Sequence, residues 1–212
     1  MWDMLTLAHQ TNSQLHSNSN HLTTGELIRK LIHLSGVFVP VSFFYIPYRT
    51  IKILLGAGFL LFLTVDVLRL KVGWVRRIFM SIFGRYMRDY ENNGITGATT
   101  LAGSAFFVAL VFPKEIAALV LFYTILSDGV ASIVGQALGR RRIRDKKTLE
   151  GSLSFLAVSI IIAILYRGIP FWWRVSSALV ATSIELLITK IDDNITIPVG
   201  TAIFLQILKI LT

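Results

Sequence analysis

The residues best suited to chemistry lie between Ser127 and Ser152, in the run S-D-G-V-A-S-I-V-G-Q-A-L-G-R-R-R-I-R-D-K-K-T-L-E-G-S. An aspartate, Asp128, sits in the middle of an apolar stretch, and glycines follow at 129, 135 and 139. The run then leaves the apolar zone into five Arg/Lys within seven residues, Arg140 to Lys146, with Lys147 next. An acid can hold a metal, small residues let a ligand approach the backbone, and cations meet phosphates. The plainer reading is a charged loop ending a membrane helix, and the charge run alone favours it. The conjunction with Glu150 and with a second acidic group, Glu185, Asp192 and Asp193, shifts the balance toward a phosphate-handling site.

Asp128 falls about ten residues from the end of its helix, about 15 Å deep at 1.5 Å per residue. An acid at that depth is functional by default, with a polar lock between helices as the structural alternative. In a continuous helix Glu185 and Asp192, seven residues apart, face the same way. With Asp128 they offer carboxylates to one or two Mg²⁺ ions, which take few protein ligands besides substrate phosphates. Lys146, Lys147 and Thr148 read as phosphate ligands. His33 stands alone near Arg29 and Lys30, where phosphate contact, general-base duty and an interfacial hydrogen bond all fit. Gly135 and Gly139 are open to two uses, tight helix packing and close approach of a ligand. No His/Asp/Glu group has zinc-like spacing, and neither a G-x-x-x-x-G-K-[ST] loop nor the protein-kinase motif set is present.

The elements that must position these residues are membrane helices. Of 212 residues, 54% are hydrophobic and 16% charged, and mean hydropathy is +0.66, too apolar for an ordinary soluble domain. The expected fold class is all-α, a polytopic transmembrane helical bundle of about seven crossings plus an amphipathic interfacial helix. Residues 1–25 read as a flexible polar tail and 26–212 as one transmembrane domain. Thr23 is the expected cap of a first helix over about 27–46, kinked by Pro40. Further helices are expected over about 51–70, 96–112, 115–138, 150–166, 173–190 and 197–211. Over 72–88, apolar residues recur every three or four positions with arginines between them, the pattern of a helix lying in the interface.

With seven crossings, 15 of the 21 Lys and Arg fall on one face, which the positive-inside rule places in the cytoplasm together with the N-terminus. Asp66, Asp128, Glu150, Glu185 and Asp192 gather toward the same face, so a site at the cytoplasmic membrane surface follows. The net charge of +9 suits loops facing anionic headgroups and substrates. It does not indicate nucleic acid, because no basic face with interleaved aromatics stands outside the apolar runs. The chain holds no cysteine, so disulfides and thiolate metal sites are excluded.

Five pieces, in order, resemble the membrane-embedded CTP-dependent lipid-alcohol kinases (phytol kinase, dolichol kinase and the CTP-dependent diacylglycerol kinase), relatives of the CDP-diacylglycerol synthases. They are E-L-I-R-K-L-I-H at 26–33, N-G-I-T-G at 93–97, S-D-G-V-A-S-I-V-G-Q-A-L-G-R at 127–140, K-K-T-L-E-G-S at 146–152, and the stretch from Glu185 through D-D-N to Pro198. The resemblance implies transfer of the γ-phosphoryl group of CTP, with Mg²⁺, to the hydroxyl of a polyprenol, a phytol-like prenol or diacylglycerol. It implies catalytic roles among Asp128, Glu185, Lys147 and His33. For the nucleotide it implies Arg29, Lys30, Thr96, Gly135, Gly139, Arg140, Lys146, Lys147, Thr148, Glu150 and Asn194, and for the metal Asp128, Glu185, Asp192 and Asp193. The loop between Gly139 and Lys146 is short and arginine-rich for this pattern. The synthases' C-terminal H-G-G with flanking aspartates is missing, which disfavours a cytidylyltransferase acting on phosphatidate. An ion-coupled transporter using the buried acids is the reading from another class, disfavoured by the gathering of the acids at one face.

Overall fold

A computed structural model of the chain describes residues 24–144 and 147–212; the expected Thr23 cap, most of the expected tail and Lys146 lie outside them. Ten helices are found among the described residues. Helix α1 spans Thr24–Ser35, α2 Phe38–Tyr45, α3 Tyr48–Lys71, α4 Gly73–Phe83 and α5 Gly97–Val111. Helix α6, Lys114–Phe122, runs through a π-helical turn, Tyr123–Ser127, into α7, Asp128–Leu138. After a two-stranded hairpin, β1 Arg142–Arg144 against β2 Lys147–Thr148, come α8 Leu149–Leu165, α9 Phe171–Leu187 and α10 Asp193–Leu211. The hairpin was not expected. Its strands of three and two residues are too short to show the alternation that marks a strand.

Among the described residues four stretches are long and apolar enough to cross a membrane: Thr24–Tyr45, Tyr48–Lys71, Lys114–Leu138 and Asp193–Leu211. These make the chain a multi-pass helical membrane protein. Helices α5, α8 and α9, of 15, 17 and 17 residues, fall short of the ~20 residues that span a ~30 Å hydrocarbon core. The expected count of seven is therefore met at full length by four.

Two expected elements change shape. The first helix breaks at Gly36–Val37 into i→i+3 bonds to the His33 and Leu34 carbonyls. That is one turn before Pro40, where a proline ring collides with the carbonyl four residues back. The interfacial helix stops at Phe83, short of the expected 88, and continues as two 3₁₀ turns, Gly84–Tyr86 and Asp89–Asn93. Buried Glu91 holds the second turn, accepting from Arg88 N at 2.9 Å and Gly97 N at 2.9 Å.

The stretch Lys114–Leu138 is the axis of the bundle. Its side chains at 117–121, 123 and 125 are fully or almost fully buried, and α8, α10 and α2 pack around it. Small residues set the closest crossings. At the α7–α8 crossing a Cβ on Gly151 would come 3.0 Å from the Ala131 carbonyl and 3.3 Å from Gly135 Cα. Helices α3 and α5 interlock reciprocally, Gly56 receiving the Phe106 ring and Gly103 the Phe59 ring. At the end away from the acids, buried Arg174 donates to the carbonyls of Ala163 and Tyr166, closing the C-terminus of α8.

Candidate functional site

Asp128 follows directly on the π turn and is 7% exposed. π turns are rare and concentrate at functional sites. Here the turn presents the Thr124 carbonyl to His33 Nε2 at 3.1 Å. A carbonyl only accepts, so Nε2 carries the proton. From α1, Lys30 Nζ stands 3.9 Å and His33 Nε2 3.8 Å from Asp128 Oδ2. The spacing of 30 and 33 places both on the face of α1 turned toward α7. The deep acid is thus met by two groups able to carry positive charge, which offsets the cost of holding a carboxylate out of water.

The second group gathers on β2. Lys147 Nζ donates to Glu185 Oε1 at 2.6 Å and to Asp193 Oδ2 at 2.8 Å. Ser152 Oγ donates to Glu185 Oε2 at 3.0 Å. Burial works against the Lys147 charge, but Asp193 and Glu185 outweigh it and hold the ammonium above its ordinary range. Lys147 is aimed by its neighbour. Thr148 caps α8, accepting from Gly151 N at 3.2 Å, and lies against Gly135 and Gly139. Both glycines are therefore placed in the tight α7–α8 crossing, under the root of the hairpin.

The continuous helix expected from Glu185 to Asp192 is broken, since α9 ends at Leu187 and α10 begins at Asp193. The two acids separate. Asp192 caps α10, accepting from Asn194 N at 3.0 Å, and its other oxygen accepts from Thr100 Oγ1 at 3.1 Å. Asp193 takes the place beside Glu185 that seven-residue spacing had given to Asp192. Buried Asn194 donates to the Gly97 carbonyl at 3.4 Å, tying α10 to α5.

Other expected site residues are distributed more widely. Thr96 caps α5, and its hydroxyl and amide both donate to Asp66 Oδ2, at 2.9 and 2.8 Å. Asp66 also accepts from Thr99 Oγ1 at 2.6 Å and Arg69 Nε at 2.6 Å, a buried lock between α3 and α5. Arg29 pairs with Glu26 at 3.8 Å. Glu150 accepts from the Arg141 amide at 3.3 Å, and Arg140 is exposed. Arg88 had not been singled out. The 3₁₀ turns bring it close enough for Asp192 and Glu91 to act on it: burial opposes its charge, and its hydrogen bond to Tyr90 with these carboxylates raises its basicity. Its closeness to the run at 93–97 was the one available signal.

Among the described residues no group of three or more Asp, Glu or His is placed to hold a metal ion. Two carboxylates nevertheless converge on a single positive centre, the Lys147 ammonium. Two carboxylates plus substrate phosphates are a usual ligand set for Mg²⁺. Glu185 and Asp193 therefore fit that ion in donor chemistry.

Known proteins place this arrangement in context. The chain is 29% identical over 194 residues to an uncharacterised protein of Rickettsia prowazekii, covering 85% of this chain and 95% of that one. It is 27% identical over 232 residues to CTP-dependent diacylglycerol kinase 1 of Eremothecium gossypii, covering 93% of this chain and 73% of that one. With CTP-dependent diacylglycerol kinase 1 of Schizosaccharomyces pombe it shares 27% identity over 203 residues, 86% of this chain and 93% of that one. No protein-family profile and no solved structure matches. The chain is thus a distant homologue of CTP-dependent lipid kinases, the group that includes diacylglycerol, phytol and dolichol kinases.

Proposed function

We propose that this protein transfers the γ-phosphoryl group of CTP, or of another nucleoside triphosphate, to the hydroxyl of a membrane lipid alcohol. The observation that carries the reading is the meeting of Lys147 with Glu185 and Asp193, close to the buried Asp128–Lys30–His33 group. Distant homology to lipid kinases supports the reaction class. Residues 26–212 form a single catalytic domain with its site and N-terminus on the cytoplasmic side.

In the reaction the lipid oxygen bonds to the γ-phosphorus as the bond to the bridging oxygen of the departing CDP breaks. The hydroxyl proton passes to a carboxylate, Asp128 or Glu185. Transfer of this kind depends on positioning and on charge placed around the phosphoryl oxygens. Lys147 and the arginines of the hairpin supply cations to the triphosphate, Lys147 as a compact point charge. Glu185 and Asp193 are the residues that would hold Mg²⁺, whose charge offsets that of the phosphates. Lys30 and His33 flank Asp128 and set its orientation.

The test is a labelling experiment on purified protein with Mg²⁺, a panel of lipid alcohols, and phosphatidate. The γ label of CTP is expected in a lipid phosphomonoester, with CDP released. The α label in lipid, with pyrophosphate released, would instead establish a cytidylyltransferase. Transfer of neither label from CTP, and no γ transfer from ATP, would rule out both enzymes and leave ion transport.

A further inference from the structure

Helix α4 turns one face away from the rest of the protein, and we infer that this face binds phospholipids of net negative charge at the membrane surface. The chain changes direction between α3 and α4 through a single extended residue, Val72 (φ −117°, ψ 112°). Because α3 belongs to a stretch able to cross the membrane, Tyr48–Lys71, α4 begins where that crossing ends. It packs on α3 and on the 3₁₀ turn that follows it. Its inner side is fixed by half-buried Phe79, whose ring centroid lies 5.1 Å from the guanidinium of buried Arg69. Arg69 is held in turn by Asp66 and by the Gly94 carbonyl. The opposite side of α4 is thereby held outward.

That outward side carries two kinds of group. Trp74, Ile78 and Ile82, spaced four apart, form one stripe along the helix, and they are 61%, 54% and 56% exposed. Beside the stripe stand cations without acids. Residues 67–88 hold six Lys and Arg and no Asp or Glu. Of the six, Lys71, Arg76, Arg77 and Arg85 are exposed, and among the described residues none of these four forms an ion pair. Arg76 reaches neutral acceptors, the Asn92 carbonyl at 3.5 Å and Asn93 Oδ1 at 3.3 Å. Arg77, three residues after Trp74, borders the stripe directly.

The pairing of stripe and cations selects the occupant. An apolar stripe bordered by uncompensated Arg and Lys suits the boundary between acyl chains and phosphates, where amphipathic helices lie in the membrane plane. A zwitterionic headgroup brings its own cation and gains little from this charge, whereas a net-negative one gains with each Lys or Arg near the surface. A soluble polyanion would meet the cations but leave Trp74, Ile78 and Ile82 in water. A second copy, meeting this face about a two-fold axis, would set the same cations against each other. The inference stands apart from the proposed reaction, since it concerns the lipid around α4 and not the lipid transformed.

The experiment uses the full-length protein, one chain per phosphatidylcholine nanodisc, with a fluorescent donor on Ser81→Cys. Ser81 is exposed on α4, and the chain has no other cysteine. The acceptor is a trace of phosphatidylglycerol or, separately, of phosphatidylcholine, each carrying the same fluorophore on an acyl chain. At low salt, energy transfer should report phosphatidylglycerol enriched about tenfold over phosphatidylcholine beside α4. Adding Arg77→Gln should lower that preference about fivefold, while Arg77→Lys, which keeps the charge, should preserve most of it. Salt at about 1 M, where the screening length falls to about 3 Å, should remove it. A polarity-sensitive dye on Ile78→Cys should emit as in an apolar medium. Equal transfer to the two lipids, a preference indifferent to Arg77→Gln and to salt, or water-like emission from position 78 would each overturn the inference. So would a dye at position 78 that becomes shielded only when two chains share a disc, because a second copy would then be the occupant.

Discussion

Lys147 Nζ lies 2.6 Å from Glu185 Oε1, joining a two-residue strand to a helix 38 positions away. Glu185 is 3% exposed, and this ammonium and the Ser152 hydroxyl are its hydrogen-bond partners. Removing one member of such a buried pair costs about 3 kcal/mol or more. Lys147→Met is therefore expected to lower stability by about that amount and to abolish transfer. Adding Glu185→Gln should restore about 1–3 kcal/mol, because the orphaned charge is gone. Unfolding in detergent measures both, and strictly additive losses would show that the pair is not coupled. The sign with pH follows from the raised basicity of Lys147. Its contribution is complete below the ordinary lysine value of 10.5 and disappears only as pH rises through the higher folded value.

The position of that lysine depends on how closely α7 and α8 cross. A methyl on Gly151 meets the Ala131 carbonyl at 3.0 Å and Gly135 Cα at 3.3 Å, backbone atoms that cannot move singly. Gly151→Ala should cost about 1–3 kcal/mol by overpacking and reduce transfer, since Thr148 and Lys147 sit directly above the crossing. Gly58→Ala is the control. Nothing lies within 4 Å of its added methyl, and a helical Gly replaced by Ala gains up to about 1 kcal/mol. Equal behaviour of the two variants would show that the crossing is not tight.

The membrane character, the helix order and the acids and cations of the candidate site are visible in the sequence because each has a local signature. Apolar runs, the acid buried within one of them, and the arginine-rich loop are all visible in short windows. What stays hidden is decided by contacts between distant segments. The lock of Asp66 on Thr96 spans 30 residues, and nothing near Asp66 announces that its partners are hydroxyls rather than phosphates. The exchange of Asp192 for Asp193 beside Glu185 turns on where α9 stops, and boundaries are the least certain part of any periodicity argument. The π turn leaves no mark in Y-T-I-L-S, a sequence that an ordinary α-helix would accept.

Asp128→Asn tests the deep acid. The amide keeps the shape of the carboxylate, so packing against α1 should survive while attraction to Lys30 and His33 is lost. Transfer is expected to fall by about 10²–10⁴, the range for a positioned acid–base group, with the unfolding midpoint little changed. Turnover near that of wild type would reduce Asp128 to a polar lock between α1 and α7.

Orientation is the last prediction, and the absence of cysteine makes it direct, because each introduced thiol is unique in the chain. In the expected seven-crossing topology the side of the chain carrying the acids also carries 15 of the 21 Lys and Arg. Of the six at the other end, Arg174 is buried and engaged with the carbonyls that close α8, so it presents no charge to the solvent there. Lys30 and Arg69 are likewise buried on the acid-bearing side, so the bias holds when buried cations are set aside, and positive loops stay on the cytoplasmic side. Tyr90, Arg142 and Pro170 are all exposed, so a thiol at each can react if reagent reaches that side. In sealed vesicles with the periplasmic or lumenal face outward, an impermeant maleimide should label Pro170→Cys and leave Tyr90→Cys and Arg142→Cys unmodified until detergent is added. Inside-out vesicles should reverse the pattern. The opposite labelling would put the hairpin and its cations away from the cytoplasmic nucleotide pool and would end the kinase reading along with the topology.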